Sequence, residues 1–221
     1  MNAARDSGGS RESQSRVLHE LIEAHGETFA EEAGITLKDT PQPLYRLLVL
    51  SVLLSARIRG SVAVAAAREL YDAGLRDARG VAGSDWQDRV DALGRGGYRR
   101  YDERTATQLG DGAELVAERW GGDLRRLRRE AHGDVSTLRA SLQEVPGLGP
   151  AGADIFLREV QHVWPEVAPY LDAKTLSGAE RLGLPKDPGR LVELAGDAEP
   201  DTLAAALVRA ALDKKVAESV T

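Results

Sequence analysis

The chain has 221 residues, with 29 Lys+Arg against 35 Asp+Glu and a formal net charge of −6. It contains no Cys, which excludes disulfides, thiolate metal sites, iron–sulfur clusters and a Cys nucleophile. At 42% hydrophobic residues it can build a core, and its negative charge argues against coating nucleic acid by bulk electrostatics while leaving a local nucleic-acid site open. Residues 1–14 are rich in Ser, Gly and Arg and are expected to form a disordered tail. That segment lacks the apolar run of a secretory signal. No stretch of the chain approaches the apolar length that spans a membrane, so a cytoplasmic location is expected.

Beyond the tail the apolar residues recur at helical spacing. Leu18, Leu21 and Ile22 open the pattern, and Leu44, Leu47, Leu48, Val52 and Leu53 mark a strongly apolar helix with Pro43 near its start. Val62, Ala66, Leu70 and Tyr71 follow, then Leu109, Leu115, Val116 and Trp120, then Leu138, Leu142 and Val145. Ile155, Phe156 and Val160, then Leu176, Ala179 and Leu182, then Leu203, Leu207, Val208 and Leu212 complete the series. No segment alternates as a strand would, and abundant Ala favours helix. The expected fold is all-α, with about ten short helices.

The segment richest in information runs from Leu142 to Ala153. A helix ends at Val145, where Pro146 disfavours its continuation. Gly147 and Gly149 flank the apolar Leu148, and Pro150 falls in the first turn of a new helix. Glycines leave backbone N–H groups uncovered, and with a helix start behind them these make a phosphate site. A plain turn between two helices fits the same residues. Gly147-Leu148-Gly149-Pro150-Ala151-Gly152 also matches the dinucleotide pattern G-x-G-x-x-G, with Asp172 downstream. That pattern requires a preceding strand, and residues 136–145 are helix-periodic, which argues against it.

Four segments in order resemble the helix-hairpin-helix DNA glycosylases, the endonuclease III superfamily. Residues 145–153 are similar to that family's hairpin of Leu-Pro-Gly-hydrophobic-Gly and small-residue helix. Residues 48–57 resemble its apolar helix ending in Leu-Leu-Ser-x-Gln. Residues 93–100 resemble its Gly-Tyr segment, and Leu171-Asp172-Ala173-Lys174 its Val-Asp-Thr-His segment. The resemblance implies an all-α fold of two helical lobes with a DNA-binding cleft between them. One lobe would join residues 15–44 with 161–221. The other would be a bundle of residues 45–160 carrying the hairpin. It implies a monomeric base-excision enzyme acting on double-stranded DNA with a damaged or mispaired base, with Asp172 as the catalytic residue. It implies DNA contacts from Pro146, Gly147, Leu148, Gly149 and Ala151, with Arg57 in place of the gap-filling Gln. A monovalent cation at the backbone of Val145 and Gly147 is implied as well, and no other cofactor.

The departures are specific. Bifunctional members carry a Lys where this chain has Ala151, so the resemblance points to the monofunctional branch, in which water attacks the sugar. The four-Cys cluster loop is absent, and the region after Leu182 has no counterpart. Asp172 alone fits an ordinary helix cap, worth about 1 kcal/mol. Lys174, two residues on, does not share its face of a helix and suits a phosphate contact or solvent. Arg57 fits a surface ion pair as well as a wedge into the stack. Tyr170 and Trp164 fit walls of a base pocket or a core that has 3 Trp, 5 Tyr and 2 Phe to draw on. A module that binds bent or damaged DNA without chemistry is the alternative reading of the whole pattern.

Overall fold

The computed structural model describes residues 3–220, with side chains from Arg11 onward. Within them every regular element is helical. In chain order these are α1 (Ala3–His25), α2 (Phe29–Glu32), α3 (Pro41–Ser55), α4 (Gly60–Asp72), α5 (Ala78–Ala82), α6 (Trp86–Arg95) and α7 (Asp102–Trp120). They continue with α8 (Leu124–Glu130), α9 (Val135–Leu142), α10 (Gly149–Val160), α11 (Ala173–Arg181), α12 (Pro188–Ala195), α13 (Pro200–Leu212) and α14 (Lys214–Glu218). The all-α expectation holds, and the extra helices are mostly one turn long, too short to carry a periodic signal. No described helix is long and apolar enough to cross a membrane.

The helices divide into a central unit, Phe29–Val167, and a terminal unit that joins residues 1–28 with Ala168–Thr221. These bounds differ from the expected ones. Residues 29–44 and 161–167 belong with the central unit, and side chains show why. Glu159, buried in α10, accepts the N–H groups of Phe29 and Ala30 and so holds α2. Asp39 accepts the Trp164 indole N–H at 2.9 Å and the Arg128 guanidinium at 2.9 Å, and Arg128 also reaches Glu166. Residues 1 and 2 of the expected disordered tail lie outside the described residues. From Ala3 on, that segment belongs to α1, where Ala, Arg, Glu and Gln are compatible with helix and the buried Leu18 and Leu21 anchor its far end.

In the central unit, α3 is apolar nearly all round, as its sequence predicts. Leu44, Leu47, Leu50 and Leu53 are fully buried, and the hydroxyl of the buried Ser51 donates to the Leu47 carbonyl. α10 and α4 pack against it. α5, α6 and α7 are tied by Arg89, which is 8% exposed and donates to the carbonyls of Val81, Ser84 and Ala106. A buried guanidinium with its donors met by carbonyls avoids the penalty of an unsatisfied charge.

In the terminal unit α13 is the centre, with α1, α11 and α14 against it. Its core includes Leu18, Leu21, Leu191, Leu194, Leu203 and Leu207. The closest approach is α11 on α13. A Cβ at Gly178 would collide with the Leu207 carbonyl, so only glycine lets these two backbones meet.

Candidate functional site

The hairpin lies in the central unit between α9 and α10. The Leu148 N–H closes the turn onto the Val145 carbonyl at 3.0 Å. Gly147 has φ +87°, a left-handed conformation that glycine adopts without the steric penalty of a Cβ. A Cβ there would also lie 3.2 Å from Gln108 and Val52, so the turn sits against α7 and α3. Leu148 is fully buried, over Gly152, where a Cβ would come within 2.9 Å of it. The Leu148 side chain is thus the anchor of the hairpin. Gly149, Pro150 and Ala151 are exposed. The N–H groups of Gly149 and Ala151, in the first turn of α10, have no acceptor inside their helix and suit an anion. Arg139 and Asp154 bridge α9 and α10.

A cavity of about 410 Å³ opens beside Gly147. Its walls include Arg57, just past the end of α3, Tyr98 and Tyr101 from the segment between α6 and α7, and Arg104 and Gln108 from α7. Two residues singled out in the sequence, Arg57 and Gly147, therefore meet at one cavity. Tyr101, Arg104 and Gln108 were not singled out. Their only sequence signal is position, just after the Gly-Tyr segment that ends at Arg100. Tyr98 is buried, and its hydroxyl, at 3.4 Å from the Leu53 carbonyl, is pushed up in pKa by that burial.

Trp164 is a core residue. It is fully buried, its ring lies 5.5 Å from that of Phe156, and its N–H is held by Asp39. It is closed to a stacking base, and with few aromatics available the core has taken it. Tyr170 is half-buried and belongs to the terminal unit.

Asp172 also belongs to the terminal unit. It is half-buried and caps α11, with one carboxylate oxygen accepting the Thr175 N–H at 3.1 Å. The Thr175 hydroxyl donates back to the Asp172 carbonyl at 2.7 Å. The fully buried Thr175 thus fixes the carboxylate from below. Lys174 is exposed in the first turn of α11.

The backbone of Val145 and Gly147 lies in the hairpin turn, where the Val145 carbonyl accepts the Leu148 N–H. In comparisons with known proteins, no family model and no curated protein matches the chain.

Proposed function

We propose that the chain is a monofunctional DNA N-glycosylase that removes a damaged or mispaired base extruded from the duplex. The observation that carries this reading is the hairpin: a left-handed glycine at 147, exposed first-turn N–H groups of α10, and Arg57 at the adjoining cavity. These are groups that grip a phosphate backbone. The reading requires that one bound DNA contact both the hairpin and Asp172.

The chemistry follows from Asp172 and Ala151. As the C1′–N bond lengthens, its electrons leave with the base and positive charge develops on the sugar. A carboxylate about 4 Å away stabilises that charge by roughly 4 kcal/mol at an effective dielectric of 20, about a thousandfold in rate. The same carboxylate orients water and takes its proton as oxygen bonds to C1′. With Ala at 151, no amine from that position attacks the sugar, so the product is an intact strand with an abasic site. Extruding the base costs least when it is mispaired or damaged, which is one source of selectivity.

One observation favours a second reading, a non-catalytic module for bent or damaged DNA. The Asp172 carboxylate already has a structural task as the cap of α11. An excision assay on duplexes that each carry one lesion or mismatch separates the two. Strand breaks that appear only after alkali, and disappear in Asp172→Asn, establish the enzyme. Binding without excision across the panel favours the module.

A further inference from the structure

Polar groups without a hydrogen-bond or ion-pair partner gather at the cavity beside Gly147. Among the described residues Arg57 and Arg104 make no ion pair or hydrogen bond, and neither do the Gln108 amide and the Tyr101 hydroxyl. Other arginines of the central unit are engaged, including Arg89, Arg95, Arg125, Arg128 and Arg139. No carboxylate lines the cavity. The Arg100 guanidinium adds positive charge nearby, 5.3 Å from the centre of the Tyr101 ring. In a chain of net charge −6, this is a local reversal of sign.

We propose that this cavity is a nucleotide-binding site, taking a phosphate joined to an aromatic base. Two guanidinium groups suit a phosphate, because each presents a planar fork of donors. The Tyr101 ring offers a face for a base, and the Gln108 amide offers both a donor and an acceptor for its edge. The volume of about 410 Å³ lies within the range of small-molecule sites. A simple dicarboxylate would use the arginines but leave the ring and the amide idle. The nucleotide comes either free in solution or as one unit of a strand, and the chemistry of the site is the same for both. The proposal does not rest on excision, since it concerns binding by the central unit and needs no turnover.

The test is calorimetric titration of the full chain with adenosine monophosphate, with inorganic phosphate and with an eight-residue oligothymidylate. Wild type is compared with Arg57→Gln, Arg104→Gln and Tyr101→Ala. The expected result is nucleotide binding about tenfold tighter than phosphate, and a loss of about tenfold in each arginine variant. Tyr101→Ala should weaken the nucleotide and leave phosphate unchanged. Arg57 and Arg104 are exposed, so their variants should keep the wild-type melting temperature, which checks the fold. Oligonucleotide binding that the monophosphate displaces identifies a unit of a strand as the occupant. Monophosphate binding without such competition identifies a free nucleotide. If neither ligand binds in a way that both arginine substitutions weaken, the proposal is overturned, and the excision reading stands or falls separately on Asp172→Asn.

Discussion

Arg139 and Asp154 form a two-pronged ion pair across the hairpin, with Nε–Oδ1 at 2.6 Å and Nη2–Oδ2 at 3.1 Å. The two residues sit on α9 and α10, so the pair sets the angle at which the turn between them is presented. A fork-to-fork geometry on partly buried side chains puts it toward the upper end for a surface pair, about 1 kcal/mol. A double-mutant cycle of Arg139→Gln and Asp154→Asn, read by urea denaturation, should return a coupling of that size. Both single variants should also weaken binding to duplex DNA, as measured by fluorescence anisotropy.

Gly147→Ala combines a left-handed backbone with a Cβ pressed on Gln108 and Val52. It should destabilise the protein by about 1–2 kcal/mol. DNA affinity should fall by more than this loss of stability predicts at a temperature where the variant is fully folded. Circular dichroism and anisotropy on the same sample check both.

Substitution separates the capping role of Asp172 from the catalytic role proposed for it. Asn is as good a helix cap as Asp, so Asp172→Asn should unfold at nearly the wild-type urea midpoint while excision is lost. Asp172→Ala should lose excision and about 1 kcal/mol of stability as well. Wild-type activity in Asp172→Asn would refute the proposed chemistry.

Hydrogen bonds from Arg128 hold the Glu166 carboxyl below its usual range. A carboxyl depressed in the folded state adds stability that is complete above its unfolded value, near 4.5, and is lost as pH falls through the lower folded value. Asp123 and Asp134, held low by hydrogen bonds from Arg125 and Thr137, act with the same sign. Glu166→Gln should therefore lose less stability than wild type between pH 7 and pH 3. The difference should be about 0.5–1 kcal/mol, since the pair is partly solvated. Urea midpoints at the two pH values measure it.

Gly178→Ala forces α11 away from the Leu207 carbonyl. Backbone cannot step aside as a flexible side chain does, so a loss of about 3 kcal/mol is expected in thermal unfolding. α11 carries Asp172 at its start, so excision should fall with it even in the fraction that stays folded.

The sequence carries what depends on local pattern. The apolar wheel of α3, the turn residues from Pro146 to Gly149 and the capping position of Asp172 are all visible as residue types at a fixed spacing. What it hides depends on which side of a surface a residue ends up. Leu148 belongs to the hairpin motif but is buried, and Trp164 has an indole that reads equally as pocket wall or as core. The division of the chain turns on Glu159 reaching Phe29 and Asp39 reaching Trp164, contacts across more than a hundred residues that no periodicity announces. The cavity gathers residues from the end of α3 and just past it, from α7 and the segment before it, and from the hairpin, and only folding brings them to one place.

The terminal unit is built from segments on either side of the central one, and this sets an order of assembly. During synthesis α1 leaves the ribosome early, yet α13, the helix it packs against, emerges only after the whole central unit. The central unit is continuous in the chain and free to fold as it is made. Until α12 and α13 arrive, Leu18 and Leu21 lack the side chains of their own unit that cover them. The terminal unit therefore closes only after the whole central unit has been made, with the apolar side of α1 waiting for partners that lie on the far side of that unit in the chain.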